Sequence, residues 1–153
     1  MNTLINTIVS PEERDILINF LDQLEQNLHK QNVDLNNFIN IHCPFDMCEK
    51  MTAYFVNELD SQNEEGLRIK ILDLRHSLKM LPILELKIAF VPDDAFRISL
   101  GIKTQIILNK KYLLDLKVDP TIIGGAVVSM DGRISKYTVK EYFMNKGRSI
   151  NGL

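Results

Sequence analysis

At Pro82 the apolar period of this chain changes, and that change constrains the fold more than any other feature of the sequence. Before Pro82, apolar side chains recur at helical spacing. After it, "LELKIAF" alternates Leu84, Leu86, Ile88 and Phe90 against Glu85, Lys87 and Ala89, the two-residue period of a half-buried strand. A chain of 153 residues is long enough for one domain or two small ones. The expected architecture is therefore α+β: a helical part over 1–81, then a small mixed α/β domain over 82–153 with a sheet of three to four strands.

Three helices are expected in the first part. In "SPEERD", Ser10 can cap, Pro11 takes the first helical position and Glu13 completes a capping box. Ile16, Leu17, Phe20, Leu21, Leu24 and Leu28 then mark one helical face, and the helix should run to about Gln31. Residues 1 to 9 read as an unanchored arm. The asparagine-rich stretch "NVDLNNFINIHCPFD" reads as a connection with a short extended piece at Phe38 to Ile41. Pro44 to Leu59 suits a second helix, with Met47, Met51, Phe55 and Leu59 four residues apart. A third, from Glu64, carries Leu67, Ile71, Leu74, Leu78 and Leu81 at heptad-like spacing, either to pack on its neighbours or to meet a partner helix.

Downstream of the first strand the pattern is ambiguous. Phe96, Ile98, Leu100 and Ile102 alternate as in a hairpin, whereas Ala95, Ile98, Ile102 and Ile106 share one helical face behind Pro92 and Asp93. "YLLDLKV" (112–118) is a second strand and "TIIGGAVVSM" (121–130) a third, followed by a tight-turn signal at Asp131-Gly132-Arg133. "KYTVKEYFMNKG" reads as a final amphipathic segment with Val139, Tyr142 and Phe143 apolar, and "RSINGL" as a frayed end.

Composition excludes several classes of function. The 18 basic and 20 acidic side chains leave a net charge of −2, without the basic excess of a dedicated nucleic-acid binder. No apolar run reaches the roughly 18 residues that span a bilayer, and the N-terminus lacks the pattern of a secretory signal. Cys43 and Cys48 are too few for a disulfide framework, so a reducing cytoplasm is the expected compartment.

Chemistry-bearing motifs are sparse. His42, Cys43 and Cys48 form one group of metal-ligand types, but no second pair completes a zinc site, and His29 and His76 fall on separate predicted helices. No serine or cysteine is marked by a local base and oxyanion signature. Asp93-Asp94 and Glu64-Glu65 sit at predicted helix starts, where they favour the helix dipole. Gly124-Gly125 is followed by β-forming Ala126, Val127 and Val128, where a phosphate loop needs a helix N-terminus; a bulge or close backbone approach fits better. The sequence thus points to no catalytic residue, cofactor or metal.

One stretch carries a family resemblance. "LLDLKVDPTIIGGAVVSMDGRISKYTVKEYF" resembles the C-terminal signature of the delta subunit of F-type ATP synthases, whose mitochondrial counterpart is the oligomycin sensitivity-conferring protein. Asp119, Pro120, Ile123, Gly124 and Gly125 match its V-D-P-S-L-I-G-G-like step. Thr138 and Val139, with Lys140, stand where the family has Ser-Val-Arg, while Lys136 and Tyr137 replace its usual Asp and Gly. The match spans roughly the last 70 residues, and the N-terminal part is shorter than the six-helix domain of long family members.

The resemblance implies that residues 93–108 are helical. It also implies a non-catalytic peripheral-stalk role, on the cytoplasmic side of the inner membrane, tying subunit b to the catalytic head. The C-terminal domain would meet the end of subunit b, and the helical part an N-terminal segment of an alpha subunit. Candidate faces for such contacts are Ile16, Phe20 and Leu24 on the first helix and Leu67, Ile71, Leu74 and Leu78 on the third. The alternatives are a small ligand-binding or enzymatic α/β domain using the Gly124-Gly125 loop, and a free-standing adaptor.

Overall fold

The computed structural model describes residues 2–28, 30, 34–44, 47–60 and 62–150. The fold is α+β, and the chain divides into two compact units at Leu81–Pro82.

Five helices build the first unit: α1 (Asn2–Thr7), α2 (Pro11–Leu28), α3 (Leu35–His42), α4 (Cys48–Asp60) and α5 (Glu64–Lys79). The capping box forms as its residue types require. Ser10 Oγ accepts the Glu13 N–H at 3.2 Å, and Glu13 Oε2 accepts the N–H groups of Val9 and Ser10. Asp34 and Asn63 cap α3 and α5 in the same way. The core takes Leu17, Phe20, Leu21, Leu24 and Leu28 from α2. Met51, Phe55 and Leu59 of α4 join them, with Met47 just before it, and α5 adds Leu67, Ile71, Leu74 and Leu78. Arg75 of α5 reaches both Asp22 and Glu25 of α2, and Arg68 lies 3.5 Å from Glu25, so a charged clamp runs beside the apolar seam.

Three expectations for this unit are corrected, and the end expected for α2 falls outside the described residues. Residues 2–7 are helical, and Leu4 and Ile8 are buried, anchoring the segment read as an arm. Six residues are too few to display a period, so tertiary burial decides their conformation. Phe38 to Ile41 belongs to α3, where Ile39 is fully buried and Phe38 stacks on Phe20; the Asp34 cap and this packing override the asparagine-rich composition. Helix α4 begins at Cys48, past Pro44, with Met47 buried before it. Helix α2 reaches Leu28, and Gln31 lies outside the described residues.

In the second unit, β1 (Ile83–Ile88), β2 (Leu113–Val118), β3 (Gly125–Met130) and β4 (Arg133–Thr138) form one sheet in the order β2-β1-β3-β4. Strands β1 and β2 are parallel, which demands a crossover, and α6 (Asp94–Leu108) supplies it. The other two pairings are antiparallel. The register sets Leu84, Leu86 and Ile88 beside Leu114, Leu116 and Val118 on one face, and Glu85 and Lys87 beside Asp115 and Lys117 on the other. Helix α7 (Val139–Ile150) follows β4 directly.

The ambiguous segment is therefore a helix, capped by Asp93, whose Oδ1 accepts the Phe96 N–H at 2.7 Å. Three further readings are adjusted. Strand β1 stops at Ile88, and Phe90 leaves it to meet Phe96 edge-to-face. Thr121 to Gly124 form the turn before β3, because Asp119 draws that backbone into a local hydrogen-bonded loop. Lys136 to Thr138 extend β4, so the final helix opens only at Val139 and then continues through Arg148 to Ile150.

Candidate functional site

The residues of the Val118-to-Gly125 stretch come together as one backbone junction with the start of α7. Asp119 Oδ1 accepts from the Thr121 N–H at 2.9 Å and from the Thr121 hydroxyl at 2.6 Å, fixing the turn at Pro120. Those hydrogen bonds hold the Asp119 carboxyl below its ordinary value. The Ile122 N–H closes the loop on the Asp119 carbonyl, burying Ile122 and turning Ile123 outward, where it is 88% exposed.

Gly124 and Gly125 then meet Thr138 and Val139. The Gly124 carbonyl accepts the Val139 N–H at 3.0 Å, and Gly125 pairs with Thr138 at the end of the β3–β4 ladder. Gly125 adopts φ +93°, and a Cβ there would meet the Tyr137 carbonyl oxygen at 1.9 Å. Thr138 Oγ1 accepts the Glu141 N–H at 3.2 Å and so caps α7. The glycines serve a close strand approach, and the group that Gly124 presents is a carbonyl, the wrong polarity for cradling an anion.

The charged sheet face holds a compact ion cluster. Lys117 Nζ lies 3.0 Å from Asp115 and 3.1 Å from Glu85, and Lys87 lies 3.6 Å from Glu85. Hydrogen bonds to Asp115 and Glu85 raise the Lys117 ammonium, and the Lys117 hydrogen bond lowers Glu85. All of these groups are at the surface. No group of three or more His, Cys, Asp or Glu able to hold a metal occurs among the described residues. Cys43 closes α3 and Cys48 opens α4, each half-buried.

The candidate partner faces divide sharply. Phe20, Leu24, Leu67, Ile71, Leu74 and Leu78 are between 0% and 4% exposed, so they form the bundle interior and cannot meet a partner unless the bundle opens; Ile16 is 46% exposed. The heptad-like seam of α5 packs on its own neighbours. The open apolar surface lies instead on the second unit. Helix α6 turns buried Gly101 and Thr104 inward, and leaves Ile98, Ile102, Ile106 and Ile107 between 53% and 78% exposed. At the C-terminal end of this row is an open depression of about 530 Å³ lined by Ile102, Gln105, Ile106, Asn109, Lys110 and Lys111. Helix α7 likewise exposes Tyr142, Phe143 and Met144. The four-residue spacing of Ile98, Ile102 and Ile106 was visible in the sequence; which way that face points was not.

No protein-family model matches the chain, and neither does any curated protein. Among solved structures, it is similar to a chain in the cryoEM structure of the Polytomella F-ATP synthase, in primary rotary state 3 with monomer-masked refinement. The two are 18% identical, the match covers 46% of this chain and 91% of the other, and the TM-score is 0.39. The likeness to this ATP synthase chain is weak. No helix among the described residues is long and apolar enough to cross a membrane.

Proposed function

We propose that this protein is a non-catalytic peripheral-stalk subunit of a rotary F-type ATP synthase, linking subunit b to the catalytic head and resisting torque. On this reading its second unit is the delta-like domain that receives the C-terminal end of subunit b. Its helical unit meets an N-terminal segment of an alpha subunit, and the protein sits peripherally on the cytoplasmic face of the inner membrane. The observation that carries the reading is the outward apolar row of α6, a surface suited to a docked amphipathic helix. Each isoleucine fully buried there contributes about 2 kcal/mol before the entropy cost of association. The V-D-P and I-G-G residues add support, since Asp119, Gly124, Gly125, Thr138 and Val139 act together as one backbone junction.

A ligand-binding use of the Gly124-Gly125 loop is less well supported. The Gly124 carbonyl and the approach face of Gly125 are already occupied by Val139 and Tyr137. The test is affinity purification of the tagged chain from detergent-solubilised membranes of its own source. Recovery of subunits b and alpha is the expected result. Absence of ATP synthase subunits, with other proteins bound through the α6 face, would replace this reading with that of a free-standing adaptor.

A further inference from the structure

Helix α6 is polarised in charge along the same face that carries its apolar row. Exposed Asp93 and Asp94 stand at its start, and Lys110 and Lys111 follow its end, the arrangement that complements the helix dipole. Between these ends Ile98, Ile102 and Ile106 are exposed at four-residue spacing, with the small residues Ala95 and Ser99 exposed beside Ile98.

These positions are symmetric about Ile102. Ile98 and Ile106 lie four residues to either side of it, Asp94 and Lys110 eight, and Asp93 and Lys111 nine. Two antiparallel copies of α6 crossing at Ile102 therefore set Ile102 against Ile102 and Ile98 against Ile106. The same register brings Asp93 and Asp94 of each copy to the lysines of the other. Parallel copies would instead set aspartate on aspartate and lysine on lysine. A shallow crossing of about 20° keeps the helix ends within reach of the long lysine side chains. The open depression lined by Ile102, Ile106 and Lys110 lies where the facing Ile98 arrives, and Ala95 and Ser99 leave room for close approach.

We propose that a second copy of this chain docks on α6, forming a two-fold symmetric dimer centred on an antiparallel α6 pair. The isoleucine rows supply the apolar contact, and the opposite charges at the two ends fix the register and direction. A single helix pair is smaller than the roughly 1,200 Å² of a stable interface, so the dimer forms in a concentration-dependent equilibrium. It occupies the same face proposed for subunit b, yet its test needs only the purified chain, so either reading can fail alone.

Sedimentation equilibrium of the full chain over about 5–500 µM should show reversible monomer–dimer exchange. Asp94→Lys and Lys110→Asp should each raise the dissociation constant about tenfold at low salt, since each change turns two attractive pairs repulsive. Both changes in one chain should bring it back to within about threefold of the wild-type value, because the antiparallel pairs are restored with their signs exchanged. Under mild oxidation Ile102→Cys should give a dimer linked through residue 102, located by the mass of the linked peptide. Ile107→Cys should link at least about tenfold more slowly, because the two-fold axis holds its copies apart although the residue is 78% exposed. All four positions are at the surface, and unchanged melting temperatures confirm that each variant is folded. A chain that stays monomeric across the range would overturn the proposal. So would a dimer indifferent to Asp94→Lys, a double swap no tighter than either single change, or equal cross-linking at 102 and 107.

Discussion

The Gly125 α-carbon faces the Tyr137 carbonyl so closely that a methyl group built there would lie 1.9 Å from the oxygen, at a backbone φ of +93°. Two constraints coincide at this residue: a φ that side chains rarely adopt, and a backbone neighbour that cannot rotate away. Gly125→Val should therefore destabilise the second unit by about 3 kcal/mol or more. Gly124→Ala should cost less than about 1 kcal/mol, because its new contact would be the half-exposed Val139 side chain, which can turn aside. Chemical denaturation of the two variants checks the contrast, and equal losses would refute it.

Leu74 and Ile16 offer a second contrast, between interior and surface. Leu74 is fully buried and Ile16 is 46% exposed. Leu74→Ala should lower the stability of the helical unit by about 2–5 kcal/mol. Ile16→Ala should stay within about 0.5 kcal/mol. Urea midpoints at constant slope provide the measurement.

The pH dependence of the second unit follows from its surface pairs. Glu85 and Asp119 lie below their ordinary values of 4.5 and 3.8, so their contributions are complete above those values and are lost as pH falls through the lowered ones. Lys117 lies above its ordinary 10.5, so its contribution is complete below that value and is lost as pH rises through the raised one. A stability plateau between pH 4.5 and 10.5 is expected from these groups, shallow because they are exposed. Lys117→Met should weaken both the alkaline fall and the Glu85 part of the acid fall, as read by thermal melts across pH.

On α6, Ile102→Asp combined with Ile106→Asp should leave the melting temperature nearly unchanged, since both residues are more than half exposed. If α6 is the docking face, the same pair should abolish co-purification with subunit b. Retained binding by the folded double variant would move the interface elsewhere.

Much of the fold could be read from local rules. The Ser10–Glu13 box, the Asp93 cap and the Asp131-Gly132 turn are short-range hydrogen-bond or φ preferences that need no distant partner, and each forms. The Asn2–Thr7 helix and α3 were missed because their conformation depends on burying Leu4, Ile8 and Ile39 against residues far away in sequence. The inward direction of most of the α2 and α5 stripes was not legible for a related reason: an apolar stripe has the same spacing whether it packs inward or faces a partner.

By itself the sequence determined the helical-to-extended change at Pro82, the Ser10–Glu13 capping box and the glycine requirement after Ile123, all consequences of local backbone chemistry. Tertiary structure alone decided which stripes became interior. Burial depends on the sum of packing choices, so the seam of α5 closed on its neighbours while the isoleucines of α6 were left facing out.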